Sequence, residues 1–162
     1  AVRENEIEEE SAWVEMLHKT QRVLDQLIND WESRPIDTWC HHDLHPHNAM
    51  RRKSHDRNIP GHCTLIDLAM VAPGCWIEDA LYMERLFWGR ESQLCGIDPL
   101  TTLADTRKAI GLPSDNEDIA LADVRRVLMA ASTPAFLRTE NDPVYLKAAL
   151  STLERLLPAF FG

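Results

Sequence analysis

Between His41 and Asp67 the chain has to curl and then double back. The segment His41-His42-Asp43-Leu44-His45-Pro46-His47-Asn48 begins a stretch, ending at His62, that holds six of the seven histidines. Asp43 and Asn48 stand five positions apart with Pro46 between them. That step lets a curled loop turn both polar tips into one cavity, and proline limits the backbone states lost on ordering. Ala49 to Lys53 and Cys63 to Ile66 then read as two short strands joined through the polar link Asn58-Ile59-Pro60-Gly61. Such a hairpin returns Asp67 to the side of Asn48.

An Asp and an Asn at this spacing match a phosphoryl-transfer loop, in which the Asp meets an acceptor hydroxyl and the Asn carbonyl oxygen holds Mg²⁺. Mg²⁺ takes hard oxygen ligands, keeps several waters and needs only one or two protein groups. Asn48 and Asp67 meet that demand. The bland alternative is that Asp43 and Asn48 cap a turn through their own backbone, and that Asp67 is a turn residue at a strand end.

Residues 41–48 resemble the catalytic loop of the aminoglycoside phosphotransferase and choline kinase-like family, approximately His-Gly-Asp-Leu-His-Pro-Gly-Asn. The matches are His41, Asp43, Leu44, His45, Pro46 and Asn48. Ile66-Asp67, continuing through Gly74 to Asp79, is similar to the family's metal segment, an Ile-Asp followed by a Gly-containing loop and a helix. The resemblance implies that Asp43 is the catalytic base and that Asn48 and Asp67 hold Mg²⁺. It also implies that His45 joins Asn48 and Asp67 in binding the cofactor, that ATP is the phosphate donor, and that His41 braces the loop. His42 and His47 stand where the family usually carries Gly, and the bulkier residue is expected either to distort the loop or to narrow access to the phosphates.

The implied architecture is the C-terminal lobe of a protein kinase-like fold. The family's smaller lobe carries strands, a nucleotide-covering loop and a phosphate-binding lysine, whereas the 42 residues before Asp43 contain no Gly-rich loop. A start at Ala1, without methionine, is compatible with a fragment of a longer protein. The expectation is therefore one domain over 1–162, part of an ATP-dependent kinase acting on an alcohol group. Alone it should be inactive, with the N-terminal lobe of the same protein as its missing partner.

At 162 residues, with 44% apolar and 27% charged side chains, the chain can bury one sizeable core. Its net charge of −9, without a basic cluster, disfavours nucleic acid and is electrostatically compatible with a cationic small hydroxyl substrate. Cys40, Cys63, Cys75 and Cys95 form no CxxC pair, which reads as four reduced thiols in a cytoplasmic protein. No apolar run approaches the ~20 residues that span a bilayer, and no signal peptide is visible.

The remaining chain reads as helices. Glu4 to Glu10 is either a solvated end or a helical first turn. Trp13, Leu17, Leu24, Leu27, Ile28 and Trp31 mark a long amphipathic helix expected to pack beneath the loop and to stop before Pro35. Ala72-Pro73-Gly74 reads as a turn, and Ile77, Ala80, Leu81 and Phe87 as a helix ending near Gly89. Asp98-Pro99 opens a helix that Gly111 closes. Ser114 to Glu117 is a capping box before a helix through Val127 and Met129, interrupted by Thr133-Pro134. Asp142-Pro143 opens the last helix, with Leu146, Leu150, Leu153 and Leu157 as a core stripe. The fold class is α+β, mostly helical, with a small β hairpin carrying the metal site.

Two rival functions remain. His41, His42, Asp43, His45 and His47 are a dense set of imidazole and carboxylate groups suited to zinc, iron or nickel, as in a hydrolase or metal-binding module. A noncatalytic kinase-like binding lobe is the other. On the plainer reading His42, His47, His55 and His62 are exposed, and Asp79 is a loop brace or a helix N-terminal charge.

Overall fold

The computed structural model describes residues 1–53, 61–114 and 116–161. It opens with a long helix, α1 (Glu10–Glu32), whose buried stripe is Trp13, Met16, Thr20, Val23, Leu27 and Trp31. These positions recur at intervals of three and four, so one face meets the core. The stripe runs through Thr20 and Val23 and leaves Ile28 39% exposed. Thr20 tolerates burial because its hydroxyl donates to the Met16 carbonyl at 2.8 Å.

The other helices are α2 (Ile77–Leu86), α3 (Pro99–Ala109), α4 (Asn116–Ser132) and α5 (Pro143–Leu156). Two of their starts follow directly from Asp-Pro pairs. Asp98 accepts from the Thr101 amide at 2.6 Å and Asp142 from the Tyr145 amide at 3.0 Å, with proline at the first helical position each time. Gly111 follows α3 with φ 79°, a left-handed helix end. Thr133-Pro134 ends α4 in a single 3₁₀ turn. The core gathers Leu27 from α1, Ile77 and Leu81 from α2, Val127 from α4 and Leu153 from α5.

α1 packs mainly against α4 and α5, not beneath the loop. An amphipathic stripe specifies that a face is buried, not which neighbour covers it. The N-terminal stretch also departs from a solvated end: Val2 and Ile7 are buried in the core. Asn5 donates to the Pro134 carbonyl at 2.6 Å, and the Glu8 amide donates to Thr139 Oγ1 at 2.6 Å. The two apolar side chains among the acids anchor the segment while the carboxylates stay in water.

Among the described residues four short strands form two antiparallel pairs. β1 (Thr38–Cys40) pairs with β4 (Ala72–Gly74), and β2 (Ala49–Arg51) pairs with β3 (Cys63–Leu65). The second pair is the hairpin read from the sequence. The first replaces the turn expected at Ala72-Pro73-Gly74, with Trp39 opposite Pro73 and Thr38 opposite Gly74. A two-stranded ribbon has open edges on both sides, so proline's missing N–H is tolerated. Gly74 is there for closeness: a Cβ would stand 3.0 Å from Cys40 Sγ and 3.1 Å from Glu78 Oε1.

The fold is α+β and mostly helical. All four cysteines are free, Cys40 and Cys75 buried and Cys63 and Cys95 exposed. Among the described residues no helix is long and apolar enough to cross a membrane. His55 and the link from Asn58 to Pro60 fall outside the described residues, as does the Glu117 side chain of the capping box, while the Ser114 hydroxyl donates to the Ala104 carbonyl at 3.3 Å.

If the N-terminal stretch is part of the core, Ile7→Ala should cost about 2–4 kcal/mol, whereas Glu4→Ala, on an exposed side chain, should be nearly neutral. Urea melts of both variants test this; equal, small effects would return the segment to solvent.

Candidate active site around Asp43

β1 ends at Cys40, and α2 catches the chain immediately beyond it. Asp79 accepts the His41 amide at 2.7 Å on one carboxylate oxygen and the His42 amide at 2.8 Å on the other. Charge-assisted bonds of this kind are among the stronger ones a backbone makes. Asp79 is thus the loop brace of the plainer reading. The bend it holds puts His42 at φ 60°, the left-handed region that glycine enters most easily and His enters more often than most residues. The first of the two glycine departures therefore falls on a genuine backbone constraint. The imidazole sits against Glu78, Nδ1 to Oε2 at 3.7 Å.

Glu78 is the second anchor. Its Oε1 accepts from Arg34 Nε at 2.9 Å and from the Cys75 amide at 3.0 Å. Burial alone would raise its pKa, but the Cys75 amide and Arg34 outweigh burial and hold it below the usual carboxylate range. Cys40 lies beneath, its thiol donating to the Cys75 carbonyl at 3.2 Å. Burial first, then Asp79 and Glu78, push that thiol up to about 12, so it stays neutral.

Asp43 follows on the open side of this bend, its side chain 35% exposed. Asn48 Nδ2 donates to the Asp43 carbonyl at 3.0 Å and to Asp43 Oδ2 at 3.2 Å. Tyr82, one helical turn after Asp79 on α2, donates its hydroxyl to Asp43 Oδ1 at 2.7 Å. His45 Nδ1 accepts from the His47 amide at 3.2 Å, so its Nε2 is the protonated end, and that end lies 3.7 Å from Asp43 Oδ2. The Tyr82 bond is the main reason the Asp43 carboxyl titrates below its ordinary value; partial burial opposes it, and His45 and Asn48 reinforce it. The same bond raises Tyr82. Each carboxylate oxygen of Asp43 keeps a lone pair for an incoming hydroxyl.

Asn48 is buried, and since its amide nitrogen serves Asp43, its Oδ1 is the end left to serve a cation. The Ile66 amide donates to the Asn48 carbonyl at 2.9 Å, extending the β2–β3 ladder by one step and bringing Asp67 to the neighbouring position. Asp67 itself is exposed and left-handed at φ 58°. Among the described residues nothing occupies its carboxylate. A clamped amide oxygen and a free carboxylate fit Mg²⁺, which asks for few, hard oxygen donors.

The histidines do not converge in the same way. His41 is buried, its Nε2 3.0 Å from the Ile66 carbonyl. A carbonyl only accepts, so Nε2 carries the proton, and Nδ1 is a buried acceptor with no partner. His41 thus ties the loop to the residue before Asp67, as a brace. His42 faces Glu78, His45 faces Asp43, and His47 and His62 are exposed. Among the described residues no three His, Cys, Asp or Glu side chains are grouped to hold a metal ion, so the transition-metal reading gains no support from the geometry.

Tyr82 and Glu78 escaped the sequence reading. Tyr82 sits three positions after Asp79, so once Asp79 is the brace, helical spacing brings residue 82 to the same side of α2; that spacing was the available signal. Comparison with family models, with curated proteins and with solved structures returns no match.

Two outcomes follow from this geometry. In Tyr82→Phe the Asp43 pKa should rise, read from its carboxyl carbon in an NMR titration. The advantage of the parent over the Phe variant should be full above the ordinary Asp range and lost as pH falls through the lowered Asp43 value. An unmoved Asp43 titration would mean that the Tyr82 bond does not form. Separately, Asp79→Ala should cost roughly 1–3 kcal/mol through two unmet amides and speed hydrogen exchange at His41 and His42; unchanged exchange there would remove the brace.

Proposed function

We propose that this chain is the catalytic-loop and acceptor-binding lobe of an ATP-dependent small-molecule phosphotransferase, with a kinase-like fold, that transfers phosphate to a hydroxyl. The observation carrying this reading is the Asn48 amide, which ties Asp43 through its nitrogen and leaves its oxygen outside that pair, at the start of a strand whose partner strand leads into Asp67. One side chain thereby couples the position of a proton acceptor to that of a cation site.

In the proposed reaction Asp43, with Tyr82 on one oxygen, would orient the acceptor hydroxyl and take its proton as the oxygen attacks the γ-phosphorus of ATP, whose bond to the bridging oxygen breaks so that ADP leaves. Its lowered pKa keeps it ionised and so able to accept. His45 presents a protonated nitrogen toward the same carboxylate, 3.7 Å away, and would be a donor for a bound phosphate. Asn48 and Asp67 would hold Mg²⁺, which when bound neutralises charge developing on the transferred phosphoryl group. On the hairpin, Met50 is 57% and Ile66 36% exposed; alternation along paired strands puts both on one face, an apolar surface for a nucleobase beside the cation site. A nucleotide-covering lobe of the same protein would close over that face, and a hydroxyl metabolite would enter from the helical side.

Mn²⁺ can replace Mg²⁺ as a paramagnetic reporter. Added with ATP to this chain, it should broaden the amide resonances of Asn48 and of residues 66–68 first, and Asp67→Ala should abolish that selectivity. Broadening centred on His45 and His47 instead would favour a transition-metal site. In protein that also carries the nucleotide-covering lobe, Asp43→Asn should lower turnover by roughly 10²–10⁴-fold with little change in melting temperature. A variant retaining most of its turnover would remove the catalytic role of Asp43.

A further inference from the structure

Arg85, three residues after Tyr82 on α2, lines a cavity of about 430 Å³ between α2, the end of α4 and the start of α5. That is the size range of small-molecule sites. Leu86, Met129 and Phe136 give it apolar walls, and Phe136 is 80% exposed at the surface. Its charged lining residues are Arg85 and Asp142.

The two charges are not equivalent. Asp142 is neutralised within the protein, accepting from Arg90 Nη1 at 2.9 Å and Nη2 at 2.8 Å as a bidentate pair, and from the Tyr145 amide at 3.0 Å. Arg85 has no carboxylate within ion-pair distance among the described residues; its guanidinium carbon lies 5.2 Å from the centre of the Tyr82 ring. Arg34, Arg90, Arg126 and Arg138, by contrast, each meet a carboxylate. The cavity thus presents one uncompensated cation in a chain of net charge −9. That cation stacks on the side chain whose hydroxyl holds Asp43.

We propose that the phosphate acceptor is a hydroxyl compound carrying an anionic group, bound in this cavity with its anion on Arg85 and its hydroxyl toward Asp43. The assignment rests on the phosphotransferase reading and names the acceptor class for it. An anion brought up to the Asp43 carboxylate meets like charge, and a guanidinium beside Tyr82 offsets that repulsion where it arises. Arg is suited to the role because its planar fork matches carboxylate and phosphate alike. A cationic acceptor would meet Arg85 with no free carboxylate on the cavity wall to compensate.

Four probes with related hydroxyl groups separate the cases: glycerol, D-glycerate, glycerol 3-phosphate and choline, titrated calorimetrically into this chain without nucleotide or metal. At least one of the two anions should bind 10-fold or more tighter than glycerol and choline, the tighter anion telling carboxylate from phosphate. Arg85→Gln should abolish the preference and Arg85→Lys should keep part of it. The preferred anion should also shift the Asp43 carboxyl resonance, as a hydroxyl placed there requires. Equal binding of all four, no measurable binding of either anion, an anion preference that survives Arg85→Gln, or an unmoved Asp43 resonance would each overturn the assignment. Because nucleotide and metal are left out, the result stands apart from the Mn²⁺ experiment: Arg85-dependent anion binding without Mn²⁺ selectivity at Asn48 would sink the phosphotransferase reading, and the reverse would sink only the acceptor class.

Discussion

A single carboxylate, Asp79, sets the geometry of the site. A loop that leaves a three-residue strand and must present an ionisable side chain to solvent has few bonds of its own to hold it, because its amides point away from any ladder. Asp79 accepts two consecutive amides, those of His41 and His42, from the first turn of a helix whose Ile77, Ala80 and Leu81 are buried in the core. Loop position is thereby referred to the buried core. Two further groups follow at three-residue steps along the same helix. Tyr82 reaches Asp43 and, three residues on, Arg85 lines a cavity between α2, α4 and α5. The loop brace, the hydroxyl that holds Asp43 and the cavity's cation are thus set on one side of α2 by helical spacing.

The bend that Asp79 enforces has a cost, and the surroundings are arranged around it. A non-glycine residue at φ 60° is tolerated when neighbours over-determine it. His42 is fixed between Glu78 and the bare backbone of Gly74, where an added Cβ would stand 3.3 Å from His42 Cε1. Glu78 is itself held by Arg34 and the Cys75 amide, and Arg34 leans on Trp31 at 4.5 Å. The end of α1 therefore reaches the loop through a relay of one cation and one carboxylate, although α1 itself packs elsewhere. Cys40, neutral under the same carboxylates, adds no charge to that crowded space.

The parts legible in the sequence were those written in short-range chemistry. Helix starts at Asp98-Pro99 and Asp142-Pro143 are set by a side chain reaching an amide three residues on, and both formed as read. The hairpin returning Asp67 to Asn48 also formed, because strand alternation and polar link lie in one segment. The parts that escaped depend on residues far apart in the chain. Pairing Thr38 with Gly74 overrode the turn propensity of Ala72-Pro73-Gly74, since a ladder partner and a close approach outweigh local preference. Val2 and Ile7 were hidden by the surrounding glutamates, whose charge says nothing about which way two apolar neighbours face. The amphipathic stripe of α1 was legible, its partner helices were not, and Tyr82 became visible only after Asp79 had a role.

Net charge illustrates the same distinction between global and local information. A total of −9 favours cations when a ligand is far away, because the summed field is what it meets. Within a few ångströms the nearest unpaired group dominates, since screening over a Debye length of ~8 Å at physiological salt removes distant contributions. In the cavity that Arg85 lines, the Asp142 carboxylate is consumed by Arg90, and the group left facing inward is Arg85. The acidic surface and a cationic pocket are therefore compatible, and the acceptor's charge should follow the pocket. That ordering also suits the proton abstraction proposed for Asp43. A carboxylate held ionised by a tyrosine hydroxyl can accept a proton only if its substrate approaches against little repulsion, and a guanidinium stacked on that same tyrosine lowers the repulsion without neutralising the base through a direct ion pair. Tyr82 keeps the two charges in register and apart.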